Sequence, residues 1–269
     1  MIQLPDLTLP ETTQNRLNRW QMIVDGVSTY KGKVSTGKSL FSSYNTTRNT
    51  TFKQVRQVLT EMCSGARRCA YCEDSVADEV EHIKPKDLYP ESVFVWENYL
   101  YACGPCNGPK NSQFAVFSSM TARFTNVTRG RNAPVVPPES GDPVLINPRI
   151  ENPLDFFHLD LAGTFYFLPR FQLNAKNKER AEYTIKILRL NERDYLARAR
   201  EEAFNSYRAR LSEYISHKVS GVEETQLDNR VKALQRMQHP TVWREMQRQQ
   251  ALIPELSDLF DQAPEAILW

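Results

Sequence analysis

Two Cys-x-x-Cys pairs constrain this chain more than any other feature. Cys69-Ala70-Tyr71-Cys72 and Cys103-Gly104-Pro105-Cys106 share one spacing, and thirty residues separate them. Each short turn aims two sulfurs at one point, and four thiolates at one point suit a tetrahedral zinc ion. A redox pair would explain one such motif, but not two flanking one segment. An iron–sulfur cluster also takes four cysteines and stays open as an alternative. The residues between the pairs are too few and too irregular to build a core alone, so a structural zinc would supply the missing folding energy. With four sulfurs on the ion, no position remains for water or substrate. The fifth cysteine, Cys63, is left over and reads as a small buried apolar residue on a helix.

The remaining pattern predicts an α+β chain in four parts. Residues 1–66 read as mostly helical. Thr50 or Thr51 is expected to cap a helix running to about Met62, with Phe52, Val55, Val58, Leu59 and Met62 on one face. Residues 67–117 form the cysteine-bearing core. Residues 118–143, punctuated by Gly130, Pro134, Pro137, Pro138, Gly141 and Pro143, read as an irregular connection. Residues 144–269 begin with a small strand pair, Val144-Leu145-Ile146 and Phe165-Tyr166-Phe167-Leu168, and then turn helical from Ala175. A break is expected at Leu190-Asn191, a further helix over Glu223 to Met237, and another starting at Pro240. The apolar ending, including Leu256, Phe260, Leu268 and Trp269, reads as intramolecular packing or, alternatively, as a docking surface.

Charge says little by itself. With 34 basic against 32 acidic residues, the net charge is +2, so a nucleic-acid partner depends on a local basic patch. No apolar run is long enough for a bilayer, and the start lacks the pattern of a signal peptide. The expectation is a cytoplasmic protein with no membrane partner. Gly32-Lys33-Val34-Ser35-Thr36-Gly37-Lys38-Ser39 matches the P-loop pattern letter for letter. It lacks the buried strand a P-loop must follow, so it is read as a basic, flexible loop without ATP binding.

Between and after the cysteine pairs come Val80-Glu81-His82-Ile83-Lys84-Pro85-Lys86, then Trp96-Glu97-Asn98, then Asn107-Gly108-Pro109-Lys110. This order resembles the HNH nuclease family. The run from Cys69 to Glu73, Glu81 to Lys86 and Trp96 to Asn98 is similar to PtuB-type HNH proteins of the Septu and retron anti-phage systems. Looser similarity continues through Leu145 to Pro148 and Thr184 to Asn191.

The resemblance implies a zinc-knuckle-stabilised, treble-clef-like ββα-metal core and a metal-dependent endonuclease acting on DNA, with RNA as a third reading. It implies that His82 is the general base, suited by an imidazole pKa near neutrality. Glu81 and Asn107 would ligate a catalytic ion, and Asn98 would pin the hairpin loop. A carboxylate and an amide oxygen favour Mg²⁺ or Mn²⁺. Lys84, Lys86 and Lys110 would contact phosphate, with Arg67 and Arg68 extending the patch. Glu81 stands where many members have Asp, and Asn107 where many have His. In the PtuB group the nuclease works beside a separate ATPase, which is the partner implied here. The competing class is a non-catalytic zinc module that binds nucleic acid or a partner protein. It would need the cysteines but not Glu81, His82 and Asn107 together. His158, His217 and His239 fall outside the motif and read as structural or exposed.

Overall fold

The computed structural model describes residues 1–63 and 65–269. Three helices open the chain: α1 (Glu11–Asp25), α2 (Tyr30–Tyr44) and α3 (Thr50–Glu61). The cap of α3 is Asn49, whose side chain accepts from the backbone N–H groups of Thr51 and Phe52 at 3.0 and 3.2 Å. This corrects the expected Thr50 or Thr51 cap. An Asn carbonyl one residue earlier satisfies two of the orphan amides.

The P-loop-like stretch also differs from its expectation. It lies inside α2, not in a loop. Thr29 caps the helix by accepting from the Gly32 N–H at 3.1 Å, and Val34, Gly37 and Phe41 bury one face. Gly37 allows a close approach: a Cβ there would stand a tight 3.0 Å from Val93 Cγ2. Trp20 of α1 stacks on Tyr44 and Phe52, and meets Phe94 edge-on. These helices therefore build an aromatic wall against the segment that follows.

That segment contains β1 (Glu79–His82) paired antiparallel with β2 (Tyr99–Ala102), with Glu81 opposite Leu100 and His82 opposite Tyr99. Helix α4 (Gly104–Lys110) follows at once. Pro105 falls in its first turn, where a missing N–H costs nothing.

Next come β3 (Ala115–Ser118), β4 (Phe124–Asn126) and β5 (Gly141–Pro143), in the antiparallel order β4–β3–β5. Two of these strands lie within 118–143, so that stretch is not wholly irregular, and the boundary at 117 cuts through β3. Gly141 makes the pairing possible. A Cβ there would lie 2.1 Å from the Phe117 carbonyl oxygen, so this glycine marks strand pairing as well as a turn. Val144, Leu145 and Ile146 are buried but lie just after β5, outside any strand. The last hairpin joins β6 (Phe157–Leu159) to β7 (Phe167–Pro169). The predicted strand over Phe165–Leu168 is thus displaced toward Pro169.

Five helices complete the chain: α5 (Ala175–Ile187), α6 (Asp194–Val219), α7 (Glu224–Gln235), α8 (Pro240–Gln249) and α9 (Pro254–Gln262). Arg189 in the α5–α6 break has a φ of 50°, outside the helical range. Trp243 of α8 stacks on Tyr207 of α6, and Trp269 meets Tyr214 edge-on. Leu268 beside it stays exposed. One contiguous buried cluster includes Leu17, Phe52, Tyr99, Leu145, Leu211 and Phe260. The knuckle segment is therefore embedded in both helical regions rather than folded alone. Among the described residues, no helix is long and apolar enough to cross a membrane.

Candidate active site

Cys69 and Cys72 lie in the turns before β1, Cys103 joins β2 to α4, and Cys106 sits in the first turn of α4. The first turn is held against the hairpin by the Ala70 N–H, which donates to the Tyr101 carbonyl at 2.9 Å. All four cysteines are buried, and their sulfurs lie within 4.8 Å of one another. Cys72 and Cys103 Sγ are 3.8 Å apart. A tetrahedral ion with Zn–S bonds of about 2.3 Å sets sulfurs about 3.8 Å apart, so this donor set fits zinc.

Cys63 lies beyond α3, half-buried, and its thiol donates to the Leu59 carbonyl at 3.2 Å. No local motif points to Arg193, whose Nη2 donates to Cys106 Sγ at 3.2 Å and to the Leu188 carbonyl at 3.0 Å. Four thiolates on a divalent ion would carry net negative charge, which this guanidinium is placed to offset in part. Arg193 is 87 residues from Cys106 in sequence, too far for any local pattern to connect them.

The hairpin and α4 enclose a cavity of about 170 Å³ lined by Glu79, Glu81, His82, Lys86 and Asn107, among others. His82 is 3% exposed. Its ring meets Phe41 and Tyr99 edge-on at centroid distances of 4.4 and 5.2 Å, so α2 and β2 clamp it from two sides. Nε2 lies 3.0 Å from the Val93 carbonyl oxygen. A carbonyl can only accept, so the proton is on Nε2 and Nδ1 is the basic nitrogen. Burial, with Lys86 and Lys110 nearby, pushes the imidazole down to about 3. The ring is therefore neutral at physiological pH, and in this arrangement it is a weaker base than the near-neutral imidazole expected from the sequence.

Glu81 is buried and ion-paired with Lys110. Burial pushes its carboxyl up, and the Lys110 ammonium opposes that shift. Lys110 is fully buried and also donates to the His82 carbonyl at 2.8 Å. The phosphate contact expected of Lys110 is closed off in this arrangement, because its ammonium is spent on Glu81 and the strand end. Asn107, half-buried, donates from Nδ2 to Glu79 Oε2 at 2.5 Å. A carboxylate can only accept, so the Asn107 amide oxygen is the end left free.

Asn98 bridges the loop between the strands. Its Oδ1 accepts from the Lys84 N–H at 2.7 Å, and Nδ2 donates to the Lys84 and Ser92 carbonyls at 3.0 and 2.9 Å. Removing this side chain leaves three loop groups without partners. Asn98→Ala is expected to cost about 2–3 kcal/mol, since several part-buried hydrogen bonds are lost together. Urea unfolding of the two proteins checks this. A midpoint unchanged from wild type would mean that the loop does not depend on Asn98.

The remaining expected phosphate ligands part company. Lys86 lines the cavity, half-buried, with its ammonium 5.3 Å from the Phe41 ring centroid. Lys84 instead lines a separate cavity of about 660 Å³ with Leu145, Ile150 and Arg180. Arg67 lies over the Tyr101 ring, and Arg68 donates to the Asp74 carbonyl at 2.7 Å. Neither lines the small cavity. His158 stacks on Phe171, His217 contacts Arg230, and buried His239 lies 3.3 Å from Asp74 Oδ1. All three are away from the site.

Comparison with known proteins gives one informative similarity. A 63-residue stretch is 41% identical to the Septu protein PtuB of Bacillus thuringiensis, covering 22% of this chain and 24% of that protein. The chain thus matches about a quarter of the length of this curated relative, and the similarity supports a Septu-related origin. No family model matches the chain, and no solved structure matches it.

Proposed function

We propose that the chain is a metal-dependent endonuclease of the HNH type, hydrolysing phosphodiester bonds of DNA as part of an anti-phage defence. The observation that supports this most is the grouping of Glu81, His82 and Asn107 around one small cavity beside the four sulfurs. The hairpin followed by a short helix has the order expected of a ββα-metal core. The partial similarity to a Septu protein supports the defence role, and a partner protein such as an ATPase belongs to the same reading.

In this reading the zinc is structural and holds α4 against the hairpin. His82 takes a proton from water through Nδ1, as a neutral imidazole already fixed in one tautomer. Glu81 and the Asn107 amide oxygen form a hard, all-oxygen donor set that suits Mg²⁺ or Mn²⁺. A bound divalent ion would supply charge that stabilises the phosphate and its leaving oxygen. Lys86 is placed to meet a phosphate oxygen at the cavity wall.

A second reading has one observation in its favour. The buried Glu81–Lys110 pair is satisfied without any metal, as it would be in a non-catalytic zinc module. Titrating Mn²⁺ into zinc-loaded protein separates the two. The nuclease reading expects wild type to bind, Asn107→Ala to bind about tenfold or more weakly, and plasmid cleavage to require added Mg²⁺ or Mn²⁺. If wild type takes up no Mn²⁺ beyond the zinc site and cuts neither DNA nor RNA, the binding-module reading replaces it.

A further inference from the structure

The small cavity does not end at His82. Asp87 and Ser112 on its rim also line a second, more open groove of about 500 Å³. Four cations face that groove: Lys31 and Lys38 from α2, and Arg129 and Arg131 from the stretch between β4 and β5. Asp87 is the one carboxylate on its lining. Lys31 and Lys38 are seven residues apart, two helical turns, so α2 presents both on one face. The P-loop-like stretch thus supplies part of a basic surface without being a nucleotide loop.

The four cations are of two kinds. Lys38 pairs with Asp87 at 2.5 Å. Arg129 is fixed by donating to the Asp87 carbonyl, the Tyr30 hydroxyl and the Val136 carbonyl at 2.8, 3.0 and 3.1 Å. These two brace the groove against the rim of the site. Lys31 and Arg131 are exposed and have no side-chain partner among the described residues. The chain as a whole carries only +2, so this excess is local. Free cations lining a groove that shares Asp87 and Ser112 with a candidate phosphodiester-cleaving cavity complement a chain of phosphates.

The geometry points to this groove as the track for the nucleic-acid backbone leading into the cavity, with Lys31 and Arg131 as its free phosphate ligands. The inference rests on the nuclease reading for the identity of the strand, and its test is separable from cleavage. Binding of fluorescein-labelled duplex DNA, single-stranded DNA and single-stranded RNA is followed by anisotropy in buffer without added divalent ions. Wild type is compared with Lys31→Gln/Arg131→Gln and with Lys232→Gln, an exposed lysine on α7 outside the groove.

The double variant is expected to lose more than tenfold in affinity at about 0.1 M salt. Its log–log salt slope is expected to fall by about 1.8 on duplex or about 1.4 on a single strand, two phosphates' worth of counterion release. Lys232→Gln is expected to bind like wild type. The inference is overturned if the double variant keeps the wild-type slope, or if wild type binds none of the three probes. A wild type that binds through these residues but never cuts with Mg²⁺ or Mn²⁺ would keep the groove and remove the nuclease reading instead.

Discussion

Cys106→Ser is expected to strip the protein of zinc and to unfold the segment between the two cysteine pairs. Replacing one of four thiolates with a hydroxyl leaves a soft-ligand site incomplete, and structural zinc contributes about 10–16 kcal/mol in small zinc-binding peptides. A native domain is stable by only about 5–15 kcal/mol, so even part of that contribution is decisive. The effect should spread, because Tyr71, Tyr99 and Leu100 belong to the same buried cluster as Phe52 of α3 and Leu211 of α6. Metal analysis should find near one zinc per wild-type chain and almost none in the variant. Limited proteolysis should open the variant first within 67–110. A Cys106→Ser protein with full zinc content and wild-type protease resistance would remove the zinc reading.

The second large effect is expected at His82. His82→Ala should lower plasmid cleavage about 10²–10⁴-fold, the range over which a positioned acid–base group contributes. The fold should survive. The Val93 carbonyl that binds His82 Nε2 also accepts from the Tyr99 hydroxyl at 2.7 Å, so it is not orphaned. What is lost is the ring's packing against Phe41 and Tyr99, at about 1–3 kcal/mol for a cavity of that size. Circular dichroism and zinc content then separate a chemical defect from a folding one, and His82→Gln serves as a more conservative second variant. If wild type and both variants cut plasmid at the same rate, His82 is not the base and the proposed site is wrong.

These two positions differ in how far the sequence reaches. The cysteine spacing is a local property, since each turn places its own two sulfurs. The order of acid, imidazole, central Asn and terminal Asn is likewise written within about fifty residues. The helical stripe around Phe52 was legible for the same reason, because 3.6-residue periodicity needs no knowledge of partners. The strands of 118–143 were hidden because glycine and proline mark turns and edge strands alike.

By itself, then, the sequence determined the donor types, their order along the chain and the stretches able to form amphipathic helices. Tertiary structure alone decided what each charged group does. Lys110 reads as a phosphate contact but is buried against Glu81, while Lys84, two residues after His82, faces another cavity. Arg193 reaches Cys106, Gly37 lets α2 close on Val93, and Phe41 covers His82. Each is a contact between segments far apart in sequence. The physical reason is that burial and pairing are properties of a volume shared by several segments, and local residue patterns carry no record of which distant side chain will fill it.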